Sequence, residues 1–156
     1  VLILITAACA SSEPLGDRDR PDGVIRVESE RIDLQTRGGT ARLTMQLRLA
    51  CDALPCDPQD GLLVFVSHRA DETYREEHTI TIAAGGVEIA YPGPAYGAPQ
   101  YEDRDLTEQI TVPIAFDDVR EIAQADSVIG RLGPTRWTAP YDRRRSLRSI
   151  VRQLEP

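Results

Sequence analysis

The chain contains no lysine and no asparagine; apart from His68 and His78, its basic charge comes from 18 arginines. Without lysine there is no side-chain amine to act as a nucleophile or form a Schiff base. Both missing residues have A-rich codons, so a GC-rich genome accounts for their absence. The other reading is selection for the bidentate pairing of arginine or for an acidic, salt-adapted surface. The 25 acidic residues outweigh the arginines and leave a net charge of −7. A nucleic-acid binder usually carries a concentrated positive face, so no nucleic acid is expected as a partner. There is no Gly-rich phosphate loop, since Gly38-Gly39 and Gly85-Gly86 read as hairpin turns. Nor does any segment recur at a fixed period, which argues against a solenoid or propeller.

Long apolar runs are missing too. The opening stretch, Val1 to Ala8, is far shorter than the about 20 residues a bilayer-spanning helix requires. What stands there is VLILITAAC followed by Ser11-Ser12-Glu13-Pro14: an uncharged apolar core, small residues, a cysteine, then polar sequence rich in breakers. That is the pattern of the second half of a secretory signal. With Ala7-Ala8 directly before Cys9, it resembles the lipobox of bacterial lipoproteins, although Thr6 stands where leucine is commonest and no basic segment precedes the core. The resemblance covers these nine residues. It implies that residues 1–8 are part of a signal peptide and that Cys9 is acylated, becomes the first residue of the mature protein and anchors it to membrane lipid. An ordinary cleaved signal with an incidental cysteine, or a buried N-terminal strand, are the other readings.

Residues 9–22 then form the lipidated cysteine and a tether with almost nothing to bury. Such a coil spans roughly 20 Å on average and roughly 45 Å at most, so the domain sits close to the membrane. One acyl chain holds a protein only reversibly, whereas several chains hold it stably. The residue after the cysteine is Ala10, not the aspartate that marks inner-membrane retention in enterobacterial lipoproteins. The resemblance therefore implies the bacterial outer membrane, facing the periplasm or the cell surface.

Residues 23–156 are of ordinary single-domain length. Cys51 and Cys56 lie in the turn-rich ACDALPCDPQDG, and in an exported chain two cysteines so close read as a structural disulfide; a redox or metal pair would favour a tighter spacing. Ala41 to Leu49 alternates apolar and polar residues, the period of a strand with one wet face. Leu62 to Val66 is apolar on both faces, as a central strand is. His78 to Ala83 and Val87/Ile89 read as a hairpin around Gly85-Gly86. Ile110, Val112 and Ile114 make another strand, for which Pro113 suggests an edge. Short candidates flank Gly133-Pro134. Asp117 is placed to cap a short helix carrying Val119, Ile122 and Ala123, and Leu147, Ile150, Val151 and Leu154 stripe a C-terminal helix after Pro140. The expected fold is mainly β (α+β): an antiparallel, two-layer, β-sandwich-like domain with one short helix and a C-terminal amphipathic helix.

Three constellations carry chemistry. HRADETYREEH gathers His68 and His78 with four carboxylates, ligand types that suit zinc or manganese, but at no recognisable spacing; a solvated loop is the plainer reading, and no metal or other cofactor is expected. Tyr91, Tyr96 and Tyr101 recur in a Pro/Gly-rich stretch and can present rigid amphipathic area to a protein or a sugar, or pack over a sheet edge. Arg143, Arg144 and Arg145, with Arg148 and Arg152, load the last helix and suit an anionic headgroup or glycan, or a solvated face. Trp137 reads as packing. Taken together, the sequence points to a non-enzymatic binding or structural module of the cell envelope, tethered through Cys9, with an envelope protein or glycan as its partner. The alternative is a secreted or periplasmic metal-binding or enzymatic domain centred on His68 and His78.

Overall fold

The computed structural model describes residues 25–37, 42–51, 60–69, 74–102 and 105–154. The leader, Cys9, Gly38-Gly39 and Cys56 lie outside the described residues. The strands, in chain order, are β1 (Ile25–Glu28), β2 (Ile32–Arg37), β3 (Arg42–Cys51), β4 (Asp60–Arg69), β5 (Ile80–Ala84), β6 (Val87–Tyr91), β7 (Ala95–Tyr96), β8 (Gln100–Glu102) and β9 (Asp105–Ala115). Helix α1 (Phe116–Gln124) follows, then β10 (Val128–Leu132), β11 (Thr135–Thr138), a 3₁₀ turn (Asp142–Arg144) and helix α2 (Arg145–Leu154).

All the strands join one antiparallel sheet in the order β6-β5-β10-β11-β2-β3-β4-β9-β7, with β1 also on β3 and β8 on β9. The sheet is curled into a half-barrel. Phe65 on β4 and Trp137 on β11 stand three strands apart, roughly 14 Å in a flat sheet, yet their ring centroids are 5.7 Å apart. The mainly β, antiparallel architecture with a short helix and a C-terminal amphipathic helix is therefore present, and its facing layers are limbs of one continuous sheet.

Period-two patterning decides which face is concave. On β3, Leu43, Met45, Leu47, Leu49 and Cys51 are all buried. Register sets Met45 beside Phe65 and Leu47 beside Leu63, and sets those beside Ile110 and Val112 of β9. β4 is the central strand its sequence suggests, flanked by β3 and β9. β1 and β2 share one edge of β3, and Ser29 lies between them. Its N–H donates to the Leu47 carbonyl and its Oγ accepts the Leu47 N–H, each at 2.9 Å. One residue thus completes the Leu47 backbone before the chain departs to pair β2 with β11.

The β5–β6 hairpin turns on Gly85 and Gly86, both at positive φ (59° and 90°), where a side chain would be strained. Pro113 pairs in register with Leu62 on one side; β7 reaches only Ile110 and Thr111 on the other, so the missing N–H faces an edge with no partner among the described residues. α1 differs in detail from the sequence reading. It begins at Phe116 with Ala115 as N-cap and no side-chain cap, so Asp117 is not the cap. Asp117 and Asp118 occupy the first turn, where they favour the helix dipole, and Asp117 pairs with Arg120 at 2.5 Å. Phe116, Val119, Ile122 and Ala123 of α1 face the core, as do Leu147, Ile150 and Val151 of α2.

Trp137 is buried (1% exposed) directly opposite Gly130. A Cβ on Gly130 would lie 2.1 Å from the indole, so the ring occupies the space a side chain would take. Gly130→Ala should lower stability by about 1–3 kcal/mol through overpacking. Ile129→Ala, at a neighbour 52% exposed, should change it by no more than about 0.5 kcal/mol. Urea unfolding of the two variants side by side checks this, and equal losses would contradict it.

Candidate functional site

One cluster of buried polar groups gathers on β9. Its inward row reads Leu106, Glu108, Ile110, Val112, Ile114, all buried, and Glu108 is fully enclosed. Its Oε1 accepts the Tyr74 N–H and the Tyr96 hydroxyl, each at 3.0 Å. Tyr74, equally enclosed, donates its hydroxyl to Thr135 Oγ1 of β11 at 2.8 Å. A single residue from the β4–β5 connection therefore ties β9 to β11 across the concave face. His78 Nδ1 lies 3.0 Å from the Tyr74 carbonyl, and its ring tilts against that of Tyr96 at 5.8 Å. Ser67 pairs with Glu108 in register and buries an Oγ without a hydrogen-bond partner. Every donor and acceptor of this cluster described above except the Ser67 hydroxyl is spent on holding the fold. Glu108 and Tyr74 were not singled out in the sequence. A signal for Glu108 was nonetheless present: it breaks an otherwise apolar period-two row.

The two histidines do not converge. His68 is on β4 opposite Thr107, with Nδ1 at 3.1 Å from Thr107 Oγ1, on the face away from buried Ser67 and Glu108. His78 stands with Tyr96 on the concave side. The sheet therefore separates them, and among the described residues no three His, Cys, Asp or Glu side chains are grouped to hold a metal.

The three tyrosines are also divided. Tyr91 closes β6, Tyr96 closes β7 and Tyr101 lies in β8, so the stretch expected to be a long loop largely adds strands to the edge of the sheet. Tyr91 and Tyr96 point inward, and Tyr101 is 67% exposed; of the three, only Tyr101 keeps the open position a partner contact needs. The Tyr91 hydroxyl donates to Asp118 Oδ2 of α1 at 3.2 Å. Burial first, and then the Asp118 carboxylate, push this phenol well above its ordinary value.

The fold splits the arginine cluster expected at Arg143, Arg144 and Arg145. Arg144 is fully buried and cannot serve a partner. Its guanidinium donates to the carbonyls of Ile122, Ala123 (3.3 Å) and Ala125 (2.6 Å), and its Nε to that of Ala139 (3.1 Å). The final carbonyls of a helix lack intrahelical donors, and α1 has no basic residue of its own in its last turn. Arg144 supplies both the donors and the charge that the negative helix end favours. Burial, followed by the charge of Arg148, pushes Arg144 below the usual guanidinium range, though an arginine stays protonated. Arg143 and Arg145 are exposed, and Arg143 pairs with Asp33 at 3.6 Å.

One groove is open on the convex face, with a volume of about 490 Å³, where Arg26, Arg48, Leu62 and Pro113 meet across β1, β3, β4 and β9. Arg48 pairs there with Glu28 at 3.3 Å, and Leu62 is 43% exposed. Register places Ile25 beside Cys51, and Asp60 beside Ala115, at this same end of the sheet. Cys51 is buried; Cys56, the partner the sequence assigns it, lies outside the described residues. No helix among the described residues is long and apolar enough to cross a membrane. No family model, curated protein or solved structure matches the chain.

The raised Tyr91 value has a testable sign. The unfolded phenol ionises near pH 10 while the folded one resists, so the stabilisation is complete below that pH and is lost as pH rises beyond it. Tyr91→Phe should cost about 0.5–1.5 kcal/mol at neutral pH through the lost hydrogen bond and should flatten the alkaline fall in stability. Urea unfolding from pH 8 to 11 reads both effects; parallel curves for the two proteins would contradict the assignment.

Proposed function

We propose that this chain is a lipid-anchored module of the bacterial cell envelope, held beside a bilayer through acylated Cys9, and that its β-rich domain binds or scaffolds rather than catalyses. The observation that carries this reading is the leader: eight residues without charge, small residues at Ala7 and Ala8, Cys9, and then a stretch with little to bury. The fold supports it in two ways. Ile25, the first described residue, lies at the edge of β3 and at the same end of the sheet as the open groove, a position that suits attachment to a tether. A Cys51–Cys56 disulfide, as the sequence suggests, suits an oxidising compartment, and Cys51 is buried where the chain leaves β3.

A non-enzymatic role fits the use made of the interior polar groups. Glu108, Tyr74 and Arg144, the chemically potent buried side chains, have their hydrogen bonds committed to neighbouring strands and helices. The surface left for an envelope protein or a glycan is instead outside, at exposed Tyr101. Ala10 after the cysteine favours the outer membrane. A centre built on His68 and His78 together would need ligands from opposite faces of the sheet, so the alternative reading gains nothing from the geometry.

The test is the intact mass of the protein extracted from membranes. We expect a mass increase that fragmentation assigns to acyl groups on Cys9, and Cys9→Ser should move the protein from the detergent phase to the soluble fraction. An unmodified cysteine, or equal sedimentation of the serine variant, would overturn the anchor.

A further inference from the structure

The exposed side of α2 is a stripe of one sign. Arg145, Arg148 and Arg152 recur at i, i+3 and i+7, which brings them within about 60° of one another around a helix of 3.6 residues per turn. They lie opposite the buried Leu147, Ile150 and Val151. The described helix reads RSLRSIVRQL and contains no carboxylate. Among the described residues, none of the three arginines has a carboxylate within ion-pair distance. Arg148 and Arg152 are held in place without being neutralised. Arg148 donates to the Tyr141 carbonyl at 2.6 Å and lies 3.8 Å over the Tyr141 ring, and Arg152 Nε donates to the Arg148 carbonyl at 3.2 Å. Tyr141 is itself 50% exposed, an amphipathic ring at the margin of the cationic face.

An isolated positive stripe is unusual on a chain of net charge −7. Like charges on one helix face repel, and Arg145 stands in the first turn of α2, where the dipole disfavours a cation. Both costs are offset when an anionic surface meets the stripe. We propose that Arg145, Arg148 and Arg152 of α2 dock on the phosphate headgroups of an anionic bilayer, with Tyr141 at the interface, as a second membrane contact besides the anchor. This rests on the proposed membrane-proximal location for its setting, but the stripe requires no acylation to bind. The composition of residues 10–22, with almost nothing to bury, suits a tether long enough for α2 to turn toward the headgroups. Arginine forks match phosphate oxygens, and the aromatic ring of tyrosine favours the water–lipid boundary.

The experiment uses the full chain carrying Cys9→Ser, so that acylation plays no part. It is mixed with vesicles of phosphatidylcholine alone, or with about a third of phosphatidylglycerol, and bound protein is read by flotation. Binding should appear only with the anionic vesicles and should vanish at high salt, where charge is screened within a few ångströms. Each arginine near an anionic surface contributes about fivefold in affinity, so Arg145→Gln/Arg152→Gln should weaken binding by about 30-fold. Arg42→Gln/Arg136→Gln, which removes the same charge from exposed sites off the helix, should leave it unchanged. All these sites are exposed, and matching thermal melts confirm that folding is intact. Equal binding to neutral vesicles, no binding to either, or equal loss in both double variants would overturn the proposal. So would self-association that depends on Arg145 and Arg152, because a second copy would then be the occupant. The state of Cys9 is read separately by intact mass, so failure of the anchor and failure of the stripe are distinguishable.

Discussion

A buried cation decides how the last third of this chain is assembled. Arg144 donates to carbonyls at the end of α1 and to Ala139, where the chain leaves β11. Moving a guanidinium out of water costs several kcal/mol, and each hydrogen bond to a charged group returns about 1.5–3 kcal/mol. The balance is favourable only because several bonds form together and because the acceptors are helix-terminal carbonyls that would otherwise lack donors. The consequence reaches beyond the clamp. Fixing Arg144 immediately before α2 sets the rotation of that helix, so that Leu147, Ile150 and Val151 face α1 and the core while Arg145, Arg148 and Arg152 face outward. The surface character of α2 thus follows from one interior contact.

The sheet obeys a related logic at its polar centre. A curled sheet brings distant strands face to face, and purely apolar packing would leave their relative height loosely specified. Tyr74 removes that freedom with two directional bonds, its N–H to Glu108 on β9 and its hydroxyl to Thr135 on β11. Trp137 and Phe65 fill the space between the limbs, and Gly130 leaves room for the indole. Residues that resemble site chemistry when read one by one are therefore architectural. Glu108 is a carboxylate without solvent, Tyr96 is its donor, and Tyr91 joins β6 to α1.

Much of this was legible in the sequence. The alternation of Leu43, Met45, Leu47 and Leu49 gives β3, the apolar run at Leu62 to Val66 gives the central β4, and the Leu147–Val151 stripe gives α2, because burial on one face imposes its period locally. Closure of the limbs into one sheet was not legible, since it depends on pairings such as β2 with β11 that no local pattern encodes. The reading of Arg143, Arg144 and Arg145 as one cluster failed for a similar reason. Sequence neighbours on a helix point in different directions, and which of them turns inward depends on where α1 ends. Tyr91, Tyr96 and Tyr101 were separated by strand pairing in a stretch whose prolines and glycines read as loop. His68 and His78 looked close in the chain but occupy opposite faces. Cys9 lies outside the described residues.

A division of labour emerges between a rigid interior and a charged exterior. The interior uses its polar groups to fix strand order and helix rotation, and the exterior carries the arginines suited to an anionic surface. The most direct measurement of the central claim is amide hydrogen exchange, residue by residue, in the native protein and in Arg144→Leu. If Arg144 joins the two helices, protection should fall together across Phe116–Gln124 and Arg145–Leu154, while β3, β4 and β9 keep theirs. Unchanged protection in α1, with loss confined to α2 or absent altogether, would contradict the account.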